Sequence, residues 1–92
     1  MERFREITEE MRTLYERKNA DYGDSFEKSC DEWGLISCVI RLSDKIERLK
    51  SLCRSGETRV EDESLRDTLI DLANYAVMGI GWLDEVSGRG IE

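Results

Sequence analysis

The chain has no histidine and no proline, and its 92 residues include only three cysteines, Cys30, Cys38 and Cys53. With no imidazole and no Cys-x-x-Cys spacing, a zinc site of the usual nitrogen and sulfur ligands is disfavoured, and a disulfide framework more so. Little in the pattern suggests strands. The missing proline and the 38% of charged residues read instead as an all-α protein. Apolar runs are far too short to span a bilayer, and the opening MERFREITEE lacks the apolar core of a signal peptide. Basic residues are outnumbered, 14 to 21, for a net charge of −7. That argues against binding nucleic acid, whose phosphates need a basic surface, but it leaves room for a single nucleotide whose phosphates are bridged by metal. A reduced, cytoplasmic protein with no membrane partner is expected.

Apolar spacing divides the chain into three long helices and one short one. Phe4, Ile7, Met11, Leu14 and Tyr15 recur at helical intervals and give a first helix to about Asn19. The ADYG segment at residues 20–23 breaks it. Asp24 then caps a short helix with Glu27 completing a capping box; Phe26, Cys30 and Trp33 are its expected buried side, and Gly34 ends it. The third helix runs from about Leu35 to Arg54, with an apolar stripe at Leu35, Val39, Leu42, Ile46, Leu49 and Cys53. Those steps of four and three suit bundle packing. Gly56 is a plausible stop, residues 57–61 form a polar link, and the last helix spans about Asp62 to Glu85. Residues 1–86 read as a single domain, and 87–92, with two glycines and little to pack, as a flexible tail.

The last two helices carry acidic residues one turn apart. Glu63, Asp67 and Asp71 follow at four-residue spacing and Asn74 continues their face, while Asp44 and Glu47 sit three apart among Arg41, Lys45 and Arg48. Residues three and four apart on a helix are neighbours, so each helix presents a carboxylate cluster. Facing each other, two such clusters offer the oxygen ligands of a hard divalent cation, with basic side chains beside it for phosphates. An acidic helical stripe is ordinarily a solvated face. Here it continues into Met78 and Trp82, opposite the expected core face of Leu65, Leu69, Leu72, Ala76 and Ile80, so it forms the polar end of a second buried face. The third helix repeats this doubling, with Ile36 and Ile40 running on into Asp44 and Glu47. Two helices with two buried sides each imply a dimer or higher oligomer, or a very compact bundle. Structural salt bridges to Arg41, Lys45 and Arg48 remain the alternative fate of the carboxylates, and Asn74 either serves a ligand or bridges helices.

KNADYGDSF, followed by Trp33-Gly34, RLSDKIERL and DESLRDTLIDLANYA, resembles the nucleotide modification associated domain 1 family of phages and bacteria, over roughly Lys18 to Met78. Its pattern groups it with the all-α, MazG-like nucleoside triphosphate pyrophosphatases. The resemblance implies a compact four-helix MazG-like bundle holding Mg²⁺ (or Mn²⁺) on Asp44, Glu47, Asp67 and Asp71. Glu47 or Glu63 would be the general base, and Lys18, Arg41, Lys45 and Arg48 the phosphate clamps. Tyr22 and Asn74 would recognise the base, and the products would be a monophosphate and pyrophosphate. The second acidic pair is spaced four rather than the superfamily's three, with Thr68 where Glu is usual. The alternative therefore stands beside the enzyme: a non-catalytic phage-type protein that sequesters a nucleotide or a nucleotide-derived immune signal.

Overall fold

The computed structural model describes residues 2–22, 25–54 and 63–88, and of their side chains all but those of 20–22 and 63. They form four helices, α1 (Glu2–Tyr22), α2 (Ser25–Trp33), α3 (Ile36–Arg54) and α4 (Glu63–Gly88), with no strand among the described residues. The all-α expectation holds, with three long helices and a short one. The expected cap at Asp24, the stop at Gly56, the polar link and residues 89–92 of the tail lie outside the described residues; Ser87 and Gly88 continue α4.

Gly34 terminates α2 as its spacing suggests. Its φ of 85° is a conformation that side chains disfavour, and its N–H closes onto the Cys30 carbonyl at 2.7 Å. Leu35 is then the only residue before α3, and Ser37 Oγ donates back to the Ser29 carbonyl at 3.0 Å. Phe26 is half-buried and Cys30 fully buried, but Trp33 is 68% exposed. The expectation of a buried Trp33 is corrected. It is the last residue of α2, and the chain turns away at Gly34 before anything covers the ring.

The main packed pair is α3 against α4. Cys38 Sγ donates to the Tyr75 carbonyl at 3.6 Å, and farther along Lys45 reaches Asp71; contacts that move forward on one helix and backward on the other make the pair antiparallel. A small-residue contact sets the approach: a Cβ added to Gly79 would stand 2.7 Å from Cys38 Sγ. Around it Cys38, Thr68, Ile70 and Gly79 are buried, and Thr68 satisfies its hydroxyl on the Ser64 carbonyl at 2.6 Å.

The expected core stripes hold in part, at Leu42, Leu49, Leu65 and Leu72, which are partly buried, and are corrected in part. The inward row of α3 is Cys38, Leu42, Lys45, Leu49 and Leu52, whereas Leu35, Val39, Ile46 and Cys53 are exposed. On α4, Leu69, Ala76 and Ile80 likewise face out. Closing on Cys38 and Gly79 brings the two backbones together and turns the bulkier neighbours, one residue along, to the side. The second face of α4 is covered in part: Asp71, Asn74, Met78 and Trp82 are partly buried on the side occupied by α1 and α2, while Asp67 of the same stripe is exposed. The second side of α3 is not, since Ile36, Ile40, Asp44 and Glu47 are exposed.

Candidate functional site

On the covered side, α1 is held to α4 by polar ties. Asn74 Nδ2 donates to the Met11 carbonyl at 3.2 Å, and Arg66 grips both carboxylate oxygens of Glu10 at 2.6 and 2.7 Å. That two-pronged pairing holds the Glu10 carboxyl below its ordinary range and the Arg66 guanidinium above its own. From α2, the Phe26 ring meets Tyr75 at 5.8 Å between centroids in a tilted arrangement. Asp31 accepts the Trp82 indole N–H at 2.9 Å.

Between these ties lies a cavity of about 310 Å³ whose lining includes Lys18, Arg41, Lys45, Asp71 and Asn74. Lys18 Nζ donates to Asp71 Oδ1 at 3.1 Å, and Lys45 Nζ stands 3.4 Å from Oδ2. Among the described residues, three cations and one carboxylate line it, a local surplus of positive charge among them in a chain of net −7. A second cavity of about 590 Å³ adjoins it, lined by residues such as Met11, Tyr15, Val77, Met78 and Trp82.

The sequence-selected residues divide accordingly. Lys18, Arg41, Lys45, Asp71 and Asn74 come together. Asp44 and Asp67 are exposed, Glu47 is paired with Lys50 at 3.2 Å, and Arg48 is exposed away from the cavity lining. Tyr22 and Glu63 belong to helix ends whose side chains lie outside the description. Among the described residues no three Asp, Glu or Cys side chains gather as a metal site. Asp71 instead lies between two ammonium groups, Lys45 of the salt-bridge alternative and Lys18 outside it, so the described residues do not offer the several oxygens that Mg²⁺ takes. Asn74 bridges helices, and its carboxamide also borders both cavities. Tyr15, Phe26 and Tyr75, which line the cationic cavity, are not singled out as ligand contacts by the sequence, because an aromatic on an apolar helical stripe looks like any core residue. Cys30 and Cys38 are packing residues: burial pushes both thiols up, away from the reactive thiolate.

Fold and cavity together define a small all-α protein whose helices enclose a positively charged, aromatic-edged hollow. The chain belongs to the nucleotide modification associated domain 1 family, whose sequence profile matches residues 18–81, the stretch that supplies most of the cavity lining. No curated protein and no solved structure matches it. No described helix is long and apolar enough to cross a membrane.

Proposed function

We propose that the chain is a nucleotide-binding protein that holds the phosphates of its ligand at Lys18, Arg41 and Lys45. The observation that carries this reading is the cluster itself: three basic side chains from two helices converge on one hollow in an acidic protein. Concentrated positive charge in a partly enclosed cleft attracts anions, and charge-assisted hydrogen bonds to phosphate are among the stronger ones available. The family's description as nucleotide-modification associated supports a nucleotide over other anions. Pyrophosphohydrolase chemistry on Mg²⁺ would need Asp44, Glu47, Asp67 and Asp71 to converge, with Asp71 leaving its two lysines. Capture without turnover, as in sequestration of a nucleotide or nucleotide-derived signal, needs no such rearrangement and is the form the geometry favours. A panel of nucleoside triphosphates incubated with the protein and Mg²⁺ or Mn²⁺, then resolved by anion-exchange chromatography, is expected to return unmodified ligand. Release of pyrophosphate would overturn the capture form and restore the hydrolase.

A second copy of the chain is the partner proposed for the uncovered side. In an antiparallel pair, the α3 row Ile36, Val39, Ile46 and the α4 row Leu69, Ala73, Ala76, Ile80, Leu83 both lie about 100° from the shared interface and in the same direction, so they form one face. The α4 row steps by four and three, the seam that packs helix against helix. Light scattering is expected to give a dimer or larger assembly that Ile80→Asp dissociates. A monomeric parent chain at micromolar concentration would contradict this.

A further inference from the structure

The two cavities adjoin, since Tyr15, Asn19, Phe26, Asn74 and Met78 border both, but their chemistry differs sharply. Lys18, Arg41, Lys45 and Asp71 belong only to the smaller one. The larger is edged by thioethers and rings together with the Glu27 and Glu85 side chains, and its one cation among the described residues, Arg12, is bonded to Glu16 at 3.3 Å. We infer that the larger cavity is the nucleoside subsite of the same site. The ligand then lies across the junction, phosphates at the cationic end and base between the Met11 and Met78 thioethers and the Tyr15 and Trp82 rings. This rests on the nucleotide reading above and adds where the base goes.

Three observations support that placement. Every base offers a flat π-face, and aromatic side chains bind such faces with little regard to sequence. Trp82 is suited to it because the bond from Nε1 to Asp31 fixes the ring, while the unbranched methionines adapt to whatever is seated beside it. The volumes, about 310 and 590 Å³, assign the larger lobe to the bulkier moiety and fall in the range of small-molecule sites. Asn74 stands at the junction with its amide nitrogen committed to Met11, so it spaces α1 from α4 where the sugar would pass.

Gly81 supplies the test. It borders only the larger cavity, and a Cβ added there meets nothing within 4 Å. A larger residue can therefore enter without displacing the fold, and leucine favours a helix over glycine. On a Trp33→Phe background, which leaves Trp82 as the single indole, deoxynucleosides are expected to change the Trp82 emission without displacing pyrophosphate measured by calorimetry, and a nucleoside triphosphate is expected to displace both. Gly81→Leu, checked for native helicity, should weaken triphosphate binding at least tenfold and shift pyrophosphate binding less than twofold. Mutual displacement of nucleoside and pyrophosphate, or unchanged triphosphate affinity in folded Gly81→Leu, would overturn the two-lobed site. Failure of pyrophosphate itself to bind would instead overturn the nucleotide reading on which this one rests.

Discussion

Replacing Asp71 by Asn separates an anion site from a metal site, because the two assign the carboxylate opposite effects. Its oxygens lie 3.1 Å from Lys18 Nζ and 3.4 Å from Lys45 Nζ, and its side chain is 23% exposed. Exposed ion pairs contribute about 0–1 kcal/mol, and removing one partner of a fully buried pair costs about 3–5 kcal/mol. With Lys18 the more exposed of the two lysines, the loss should fall between these limits at about 1–2 kcal/mol. For a domain this small each kcal/mol moves Tm by roughly 4–8 °C. The same change removes the internal anion that competes with phosphate, so metal-free pyrophosphate should bind Asp71→Asn more tightly, on the order of tenfold or 1.4 kcal/mol. Because a ligand that binds only the folded state stabilises it, pyrophosphate should also restore the lost Tm. Melting by circular dichroism with and without pyrophosphate in EDTA reads both effects, and a parallel series in Mg²⁺ reads any dependence on metal. A variant that binds pyrophosphate less well, or loses a stabilisation that depends on Mg²⁺, would refute the counter-ion role and make Asp71 a metal ligand.

Gly79→Ala should destabilise the α3–α4 pair by about 1–3 kcal/mol, the usual cost of overpacking, because its Cβ meets Cys38 Sγ at 2.7 Å. Cys38→Ala should offset most of that in the double variant, a coupling that a chemical-denaturation cycle detects; simple additivity would dismiss the contact. The Glu10–Arg66 tie has a pH signature whose sign follows from the lowered Glu10 pKa. Its contribution is complete above the ordinary carboxylate value of 4.5 and disappears as pH falls through the lowered folded value. Glu10→Gln should therefore flatten the acid limb of the Tm-against-pH curve, and an unchanged limb would place that limb's origin elsewhere.

Much of this was legible in the sequence, for reasons that also explain the errors. The boundary between α2 and α3 follows from Gly34, which needs its positive φ, whereas α1 runs through Ala20, Asp21 and Tyr22, past the break expected there. The mixed face of α4 was legible because Asn74, Met78 and Trp82 extend the Asp71 row on one helix, and a wheel reports relations within a helix reliably. It does not report how a neighbouring helix is rotated. On α3 two rows run side by side: the outer one, Val39 and Ile46, is the more hydrophobic, while the inner one includes Lys45. A lysine can bury its stem and direct its ammonium to Asp71, so hydrophobicity selected the wrong row. The rotation that puts Lys45 inward also leaves Asp44 and Glu47 outside, and Asp67 falls on the exposed side of α4. Four carboxylates with plausible spacing on their own helices therefore do not meet, while Arg41 and Lys45 beside them meet Lys18 at the cavity.

The central claim, that Lys18, Arg41 and Lys45 bind nucleotide phosphate by themselves, is tested most directly by calorimetry of a nucleoside triphosphate panel in EDTA, comparing the parent chain with Arg41→Ala. Arg41 lines the cavity and takes no part in the Asp71 ion pairs, so its loss should remove phosphate contacts while leaving the helical signal intact. Metal-free binding that Arg41→Ala weakens at least tenfold is the predicted result. Binding that requires Mg²⁺, or that is indifferent to Arg41, would contradict it.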